Sequence, residues 1–172
     1  MREILEIKHP DQLKALGHPL RLRVLERLGA DEGDGQLTNR ELASQLRVDP
    51  GHLHFHVRML LRAGLITLAE EGHGREKPYR AVARTLRVAP ELLASGLTSD
   101  LRAAMLDEVQ RGWSEHGAEG TFRAAQVTGR VTAERALELV SDFVDRVRDA
   151  EEEGAEPLVM TTFLHPPTGR VG

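Results

Sequence analysis

The chain has 172 residues, of which 40% are hydrophobic, 29% charged and 3% aromatic, the composition of an ordinary globular protein with few aromatic core residues. It contains no cysteine, which excludes disulfides, thiolate metal sites and a cysteine nucleophile. The net charge of -4 is unevenly divided: residues 1–90 carry 15 Lys or Arg against 12 Asp or Glu, and residues 91–172 carry 8 against 15.

A basic half beside an acidic half suggests one surface for a polyanion and another for a different task. No apolar run approaches the length of a membrane span, and the first ten residues do not resemble a signal peptide. We therefore expect a cytoplasmic protein without a membrane partner.

The first elements along the chain are two short helices within residues 10–29. Leu13 and Leu16 form the apolar patch of the first helix, which Gly17 ends, and Pro19 suits the first turn of the second. A polar loop with two glycines follows at residues 30–36.

Two further helices begin with clear capping patterns. Thr38 and Glu41 have the spacing of a capping box, which predicts a helix that runs to about residue 46. Asp49 and Pro50 suit the N-cap and first position of the next helix, and Gly64 suits its end, so we predict a helix over about 49–63.

This second helix carries three histidines at alternate positions, His52, His54 and His56. On a strand all three would point the same way and could bind zinc together, but on a helix they cannot. His52 and His56 share one flank, so a two-histidine metal site with ligands from elsewhere stays open as an alternative.

After Gly64 the spacing of the apolar residues changes from that of a helix to that of short strands. Residues 65–69 and 79–83 read as two short strands joined by a polar, glycine-containing tip, which predicts a β-hairpin. Helices followed by a basic hairpin indicate a winged helix-turn-helix over residues 1–90, with the wing at about 70–80.

Three blocks of the chain resemble the ArsR-type winged-helix transcriptional regulators over residues 10–87: "LKALGHPLRLRVLERL", "LTNRELASQLRVDPGHLHFHVRMLLRAGLI" and "GREKPYRAV". The resemblance implies dimeric, cytoplasmic binding to DNA, often as repression that an effector relieves. Metal-sensing members of the family commonly have a cysteine motif near the start of the recognition helix. This chain has Val48, Asp49 and Pro50 there, which argues against sensing of thiophilic metals.

The predicted recognition helix has an outward side that suits the major groove. Residues near its N-terminus would meet base edges, and the arginines one and two turns later would meet phosphates. The hairpin tip would enter a minor groove or grip the backbone. The candidate DNA-contacting residues are Arg40, Arg47, Gly51, His52, His54, Phe55, His56, Arg58, Arg62, Arg75 and Lys77.

Residues 91–172 are expected to provide dimerisation and, by hypothesis, effector sensing. A helix over 99–117 carries an apolar stripe that we assign to a homodimer interface, formed by Leu101, Met105, Val109 and Trp113. The alternative is that this stripe packs inside its own chain on the helix at 132–150. That helix, capped by Thr132, lies between predicted strands at 122–131 and 157–164, so the predicted fold class is α+β, a winged helix-turn-helix followed by a helix and a small strand-helix-strand unit.

The favoured function is a homodimeric, sequence-specific regulator of transcription that binds double-stranded DNA, with repression as the favoured sign. It requires no cofactor, and an unidentified small molecule is its candidate effector. The alternatives are a winged-helix module that docks on protein, a sensor of metal or small ligands with its site in the acidic half, and an enzyme in that half. No enzymatic motif is present in the sequence, so we expect no catalysis.

Overall fold

The computed structural model describes residues 2–30, 35–69, 77–96, 98–152, 154–155 and 158–165. The helices are α1 (Pro10–Leu16), α2 (Pro19–Ala30), α3 (Asn39–Leu46), α4 (Pro50–Arg62), α5 (Pro90–Ala94), α6 (Ser99–His116) and α7 (Ala133–Asp149). The strands are β1 (Arg2–Ile7), β2 (Ile66–Leu68), β3 (Tyr79–Ala81) and β4 (Ala83–Val88).

Helices α1 to α4 confirm the four helices predicted for the N-terminal half, and local capping defines their ends. The Thr38 hydroxyl accepts from the Glu41 backbone N–H at 3.3 Å, while the Glu41 carboxylate accepts from the Thr38 N–H at 2.7 Å. Asp49 accepts from the backbone N–H of His52 at 2.8 Å. These bonds satisfy donors that a helix N-terminus leaves without partners, so α3 and α4 begin where the sequence predicts.

The predicted hairpin is also confirmed, as an antiparallel pair of β2 and β3. Leu37 extends it as a bridge, because its N–H donates to the Tyr79 carbonyl at 3.0 Å and its carbonyl accepts from the Tyr79 N–H at 2.8 Å. The hairpin thus continues from α4 and attaches to the residue before the α3 cap. The N-terminal half is a winged helix-turn-helix.

A second two-stranded sheet joins the two ends of this half, and the sequence reading did not anticipate it. Strand β1 pairs in parallel with β4, with Leu5 opposite Leu86 and Ile7 opposite Val88. These four side chains belong to, or pack on, the main hydrophobic core. The sheet therefore brings the first residues of the chain beside the strand that follows the wing.

Helix α6 packs on α1 and α2 of its own chain. Leu101 is buried, with 4% of its surface exposed, and Met105 packs against the same core. The fit is close, since a Cβ at Gly17 would lie 2.7 Å from the Asp100 Cβ. The assignment of Leu101 to a dimer interface is therefore wrong, because the core of its own chain covers it, whereas Met105 is half-buried on that core.

The core thus continues past residue 90, where the sequence suggested a division between two domains. Leu92 of α5 and Leu101 of α6 belong to the same buried cluster as Leu53 of α4. The division at residue 90 stays a prediction about folding units.

Two predicted strands are wrong. The described residues of 122–131 and 158–165 contain no strand. Val127 is 94% exposed and Leu158 is 81% exposed, so these segments lack the continuous buried face of a core strand. A strand needs backbone partners to satisfy its N–H and C=O groups, and no neighbouring strand supplies them in the part of the chain that the structure describes.

Helix α7 lies against β4. The Arg87 guanidinium of β4 donates to the Ser141 hydroxyl at 2.7 Å, and Arg84 donates to the Glu151 carboxylate just after α7 at 2.8 Å. As predicted, Thr132 caps this helix by accepting from the Arg135 N–H. Across the described ranges, every helix is too short or too polar to span a bilayer.

Candidate nucleic-acid interface

The turn between α3 and α4 positions the N-terminus of α4. Asn39, the first residue of α3, donates its side-chain amide to the Pro50 carbonyl at 2.8 Å. Arg47 ends α3 in the left-handed conformation, at φ 54° and ψ 45°, a region that non-glycine residues rarely adopt. Its side chain is exposed beside the start of α4. The tight turn therefore presents an arginine where glycine would be less strained.

The outward side of α4 is exposed and mixed in character. Phe55 is 64% exposed, and His52, His54, Arg58 and Arg62 are exposed around it. The structure thus brings these five predicted residues together on one helix. This side of α4 therefore combines one aromatic ring with groups that can donate hydrogen bonds and carry positive charge.

Gly51 is also exposed on the first turn of α4, as predicted. A Cβ at this position would lie 3.1 Å from the Asp49 Oδ1 that caps the helix. The cap therefore gives a structural reason for this glycine, besides the close approach to DNA that the sequence suggested.

His56 does not belong to this surface. It is 5% exposed, and its ring centroid lies 4.4 Å from that of His18 and 5.0 Å from that of His52. The prediction that His56 contacts DNA is wrong, because the side chain points from α4 toward α2 and is covered there. His52, one turn earlier, stays exposed.

Arg21 of α2 is the residue against which His56 is buried. Arg21 is 6% exposed, and its guanidinium donates to the carbonyls of Ala15 and Lys14 in the last turn of α1. Its Nη1 lies 3.4 Å from the His56 Nδ1. Because a guanidinium can only donate, the His56 Nδ1 accepts and the neutral ring carries its proton on Nε2.

This environment keeps His56 uncharged. Burial, followed by the charges of His18, Arg21 and His52, lowers the pKa of His56 to about 4. Burial and the nearby Arg21 and His52 also lower the pKa of His18. The contact of Arg21 with α4 thus depends on a neutral imidazole, since a second buried cation would repel it.

The histidines of α4 lie near one another, which raises the question of a metal site. Within the described ranges there is no group of three or more His, Asp or Glu side chains that could hold a metal ion. The two-histidine alternative for His52 and His56 requires further ligands, and no His, Asp or Glu in the described part of the chain completes such a group with them.

The remaining residues predicted to contact DNA lie on the elements next to α4. Arg40 is exposed on the first turn of α3, and Lys77 is exposed just before β3 of the wing. Arg75 lies outside the described residues. Among the described residues, the candidate interface is therefore built mainly from α4 and the turn that precedes it.

Sequence reasoning missed Arg21 as a positioning residue. Its spacing held the necessary information, because Arg21, Val24 and Leu28 follow the i, i+3, i+7 pattern of one helix face, and Val24 and Leu28 are fully buried. A charged residue on a buried helix face requires a polar partner inside the protein. His56 and the α1 carbonyls are those partners.

Comparison with known protein families identifies a helix-turn-helix domain at residues 16–69. This range begins at the end of α1 and ends just after β2, so it includes α4 and the turn before it. No curated protein matches the chain. The matched domain supports a DNA-binding regulator, while the ArsR-type assignment rests on the sequence resemblance alone.

We expect His56 to make the stability of the protein depend on pH. Its folded pKa of about 4 lies below the ordinary value of 6.5, so its contribution is present above pH 6.5 and is lost as the pH falls toward 4. That contribution is on the order of 2–3 kcal/mol. Urea unfolding at pH 7 and pH 4 should show a smaller loss of stability for His56→Gln than for the parent.

The exposed His54 provides the matched control, since His54→Gln should lose as much stability as the parent over the same pH range. The comparison between variants removes the contribution of carboxylates, which titrate in all three proteins. Equal losses for His56→Gln and the parent would show that His56 does not titrate from a buried, neutral state.

Proposed function

We propose that the protein is a homodimeric, sequence-specific DNA-binding regulator that reads the major groove with α4. The observation that carries this proposal is the exposed, mixed surface of a capped helix inside a helix-turn-helix domain, centred on Phe55 at 64% exposure. An α-helix fits the major groove of B-DNA. The protein acts by binding rather than by catalysis, and repression is the favoured sign.

Phe55 and His52 are the proposed base-reading residues. Both lie in the first two turns of α4, the part of a recognition helix that reaches the floor of the groove. The phenyl ring can pack on a thymine methyl group, and the imidazole can donate to a base acceptor. His54 would lie at the edge of the surface that Phe55 and His52 present to the bases.

Arginines around these residues are the proposed phosphate contacts. Arg58 and Arg62 are exposed one and two turns further along α4, and Arg47 is exposed at the turn before it. Such contacts fix the register of a protein on DNA but carry little sequence information. Arg40 and Lys77 would extend the contact on either side, the latter from the wing.

The homodimer is proposed because a helix-turn-helix protein commonly binds two half-sites about 34 Å apart. Since Leu101 is buried in its own chain and Met105 is half-buried there, the proposed surface is the outer side of α6, with Val109, Leu106 and Trp113. Leu106 is 54% exposed and Trp113 is 60% exposed. Trp113 also packs on Phe122, with ring centroids 5.1 Å apart.

Base reading and phosphate contact are distinguished by two substitutions on α4. DNA selected from a random pool should bind Phe55→Ala more weakly by about 1–3 kcal/mol, with altered sequence preference. Arg58→Ala should weaken binding to all sequences alike and reduce the slope of log affinity against log salt by about 0.9. Fluorescence anisotropy at several stated salt concentrations measures both effects.

The parent should bind the selected DNA more tightly than a scrambled fragment at every salt concentration. A parent that binds no DNA while it remains folded would instead favour a protein-docking role for the same surface. Unchanged preference in Phe55→Ala would remove this residue from the base-reading group.

Substitution of Arg47 should change stability and binding in opposite directions. Arg47→Gly relieves the left-handed backbone, and after the entropy of glycine is subtracted we expect a gain of about 0.5–1 kcal/mol in unfolding free energy. The same change removes a proposed phosphate contact and should weaken DNA binding uniformly. Arg47→Lys, which keeps both charge and strain, should leave stability nearly unchanged and retain most of the affinity.

Thermal unfolding and anisotropy on the same preparations test this expectation. An Arg47→Gly protein that is more stable and binds DNA as tightly as the parent would place Arg47 away from the phosphates.

Self-association is tested by a charge on the outer side of α6. Trp113→Glu should shift the protein from dimer to monomer in sedimentation velocity, because a buried carboxylate would oppose an apolar contact. Val127→Glu is the matched control, since Val127 is 94% exposed and lies outside α6. A dimer that persists in Trp113→Glu would move the interface elsewhere.

A further inference from the structure

A groove of about 300 Å³ lies between α7, β4 and the segment 158–165. Pockets for small molecules begin at about this size. Its wall combines the apolar side chains of Leu86, Phe143, Val144, Val147 and Met160 with the polar side chains of Arg84, Thr85 and Thr162. The groove therefore has the room and the surface for one small molecule with an apolar body.

Helix α7 leaves this groove open. One side of the helix is strongly apolar, yet none of its residues is buried, and Phe143 remains 44% exposed. Across the groove, Met160 is 49% exposed. A helix with one apolar face normally buries that face, so the groove retains apolar surface that an occupant could cover.

A cation lies among these apolar residues. Arg84 of β4 lines the groove, and its Nη1 lies 2.8 Å from both carboxylate oxygens of Glu151. The two side chains are 45% and 59% exposed, so their ion pair adds little to stability. A carboxylate on a bound molecule could replace Glu151 at small net cost.

We propose that this groove binds a small amphiphilic monocarboxylate. The alkyl or aryl body lies on Phe143, Val144 and Met160, and the carboxylate accepts from the Arg84 guanidinium in place of Glu151. The pairing of one cation with an apolar wall selects a molecule that has one anionic end and one apolar end.

The position of the groove connects it to the DNA-binding half. Strand β4 follows β3 of the wing after the single residue Val82, whose N–H donates to the Leu65 carbonyl at 3.0 Å. A molecule between α7 and β4 can therefore alter the position of the wing by its contacts with β4. This regulatory part rests on the proposed function, whereas binding in the groove does not.

Isothermal titration of the full-length protein with octanoate at pH 7 tests the site, with 1-octanol as the uncharged probe. The parent should bind octanoate saturably at one site. Arg84→Gln should weaken octanoate binding roughly tenfold and leave octanol binding unchanged. Arg130→Gln, which removes an exposed arginine outside the groove lining, should bind both probes as the parent does.

Val144→Trp fills the groove and should abolish binding of both probes, and circular dichroism verifies that each variant is folded. The proposal is overturned if the folded parent shows no saturable octanoate binding, or if Arg84→Gln binds octanoate as tightly as the parent. It is also overturned if Val144→Trp leaves octanoate binding intact and converts a dimer to a monomer, since a second copy would then occupy the groove.

The regulatory part is measured separately by anisotropy, as a change in DNA affinity when octanoate saturates the site. A parent that binds octanoate but no DNA keeps the groove and removes the proposed function. A parent that binds DNA but no octanoate keeps the proposed function and removes the proposed site in the groove. Octanoate binding without any change in DNA affinity overturns the connection through β4.

Discussion

The buried guanidinium of Arg21 joins three helices of the N-terminal half. It lies in α2, donates to the last carbonyls of α1 and faces His56 of α4. Because Arg21 is 6% exposed, each lost partner would leave a buried donor of a charged group unsatisfied, which commonly costs at least about 1–3 kcal/mol. The orientation of α4, and with it the outward surface around Phe55, therefore depends on this contact between an arginine and a neutral histidine together with the buried apolar face of α4.

The parts of this fold that the sequence predicts are those determined within a few residues. Thr38 and Glu41 lie three positions apart and satisfy each other's backbone, so the start of α3 follows from the local sequence. The pairing of β1 with β4 joins segments about 80 residues apart. No local pattern encodes that register, and only the packing of Leu5 and Ile7 into the shared core reveals it.

On α4 too, local sequence patterns predict some side-chain positions but not those that depend on distant residues. Helix periodicity placed Leu53 and Val57 inward and Phe55 outward, and the structure agrees. His56 lies at the edge of the inward side, where periodicity alone does not decide between core and surface. Its burial depends on Arg21, 35 residues earlier, so a polar residue at the edge of a helix face can be placed only when its partner is known.

Two residues near the start of α4 oppose the rules that favour stability, and they lie close together in the chain. Arg47 adopts a left-handed backbone that glycine would adopt with less strain, and Phe55 exposes 64% of its surface to water. Local strain and exposed apolar surface persist in proteins where another requirement outweighs their cost. Both features lie within the matched helix-turn-helix segment, and exposed apolar side chains such as Val127, at 94%, also occur outside it. The contact with DNA that we propose for α4 would account for an arginine in the turn and an aromatic ring on the helix at once.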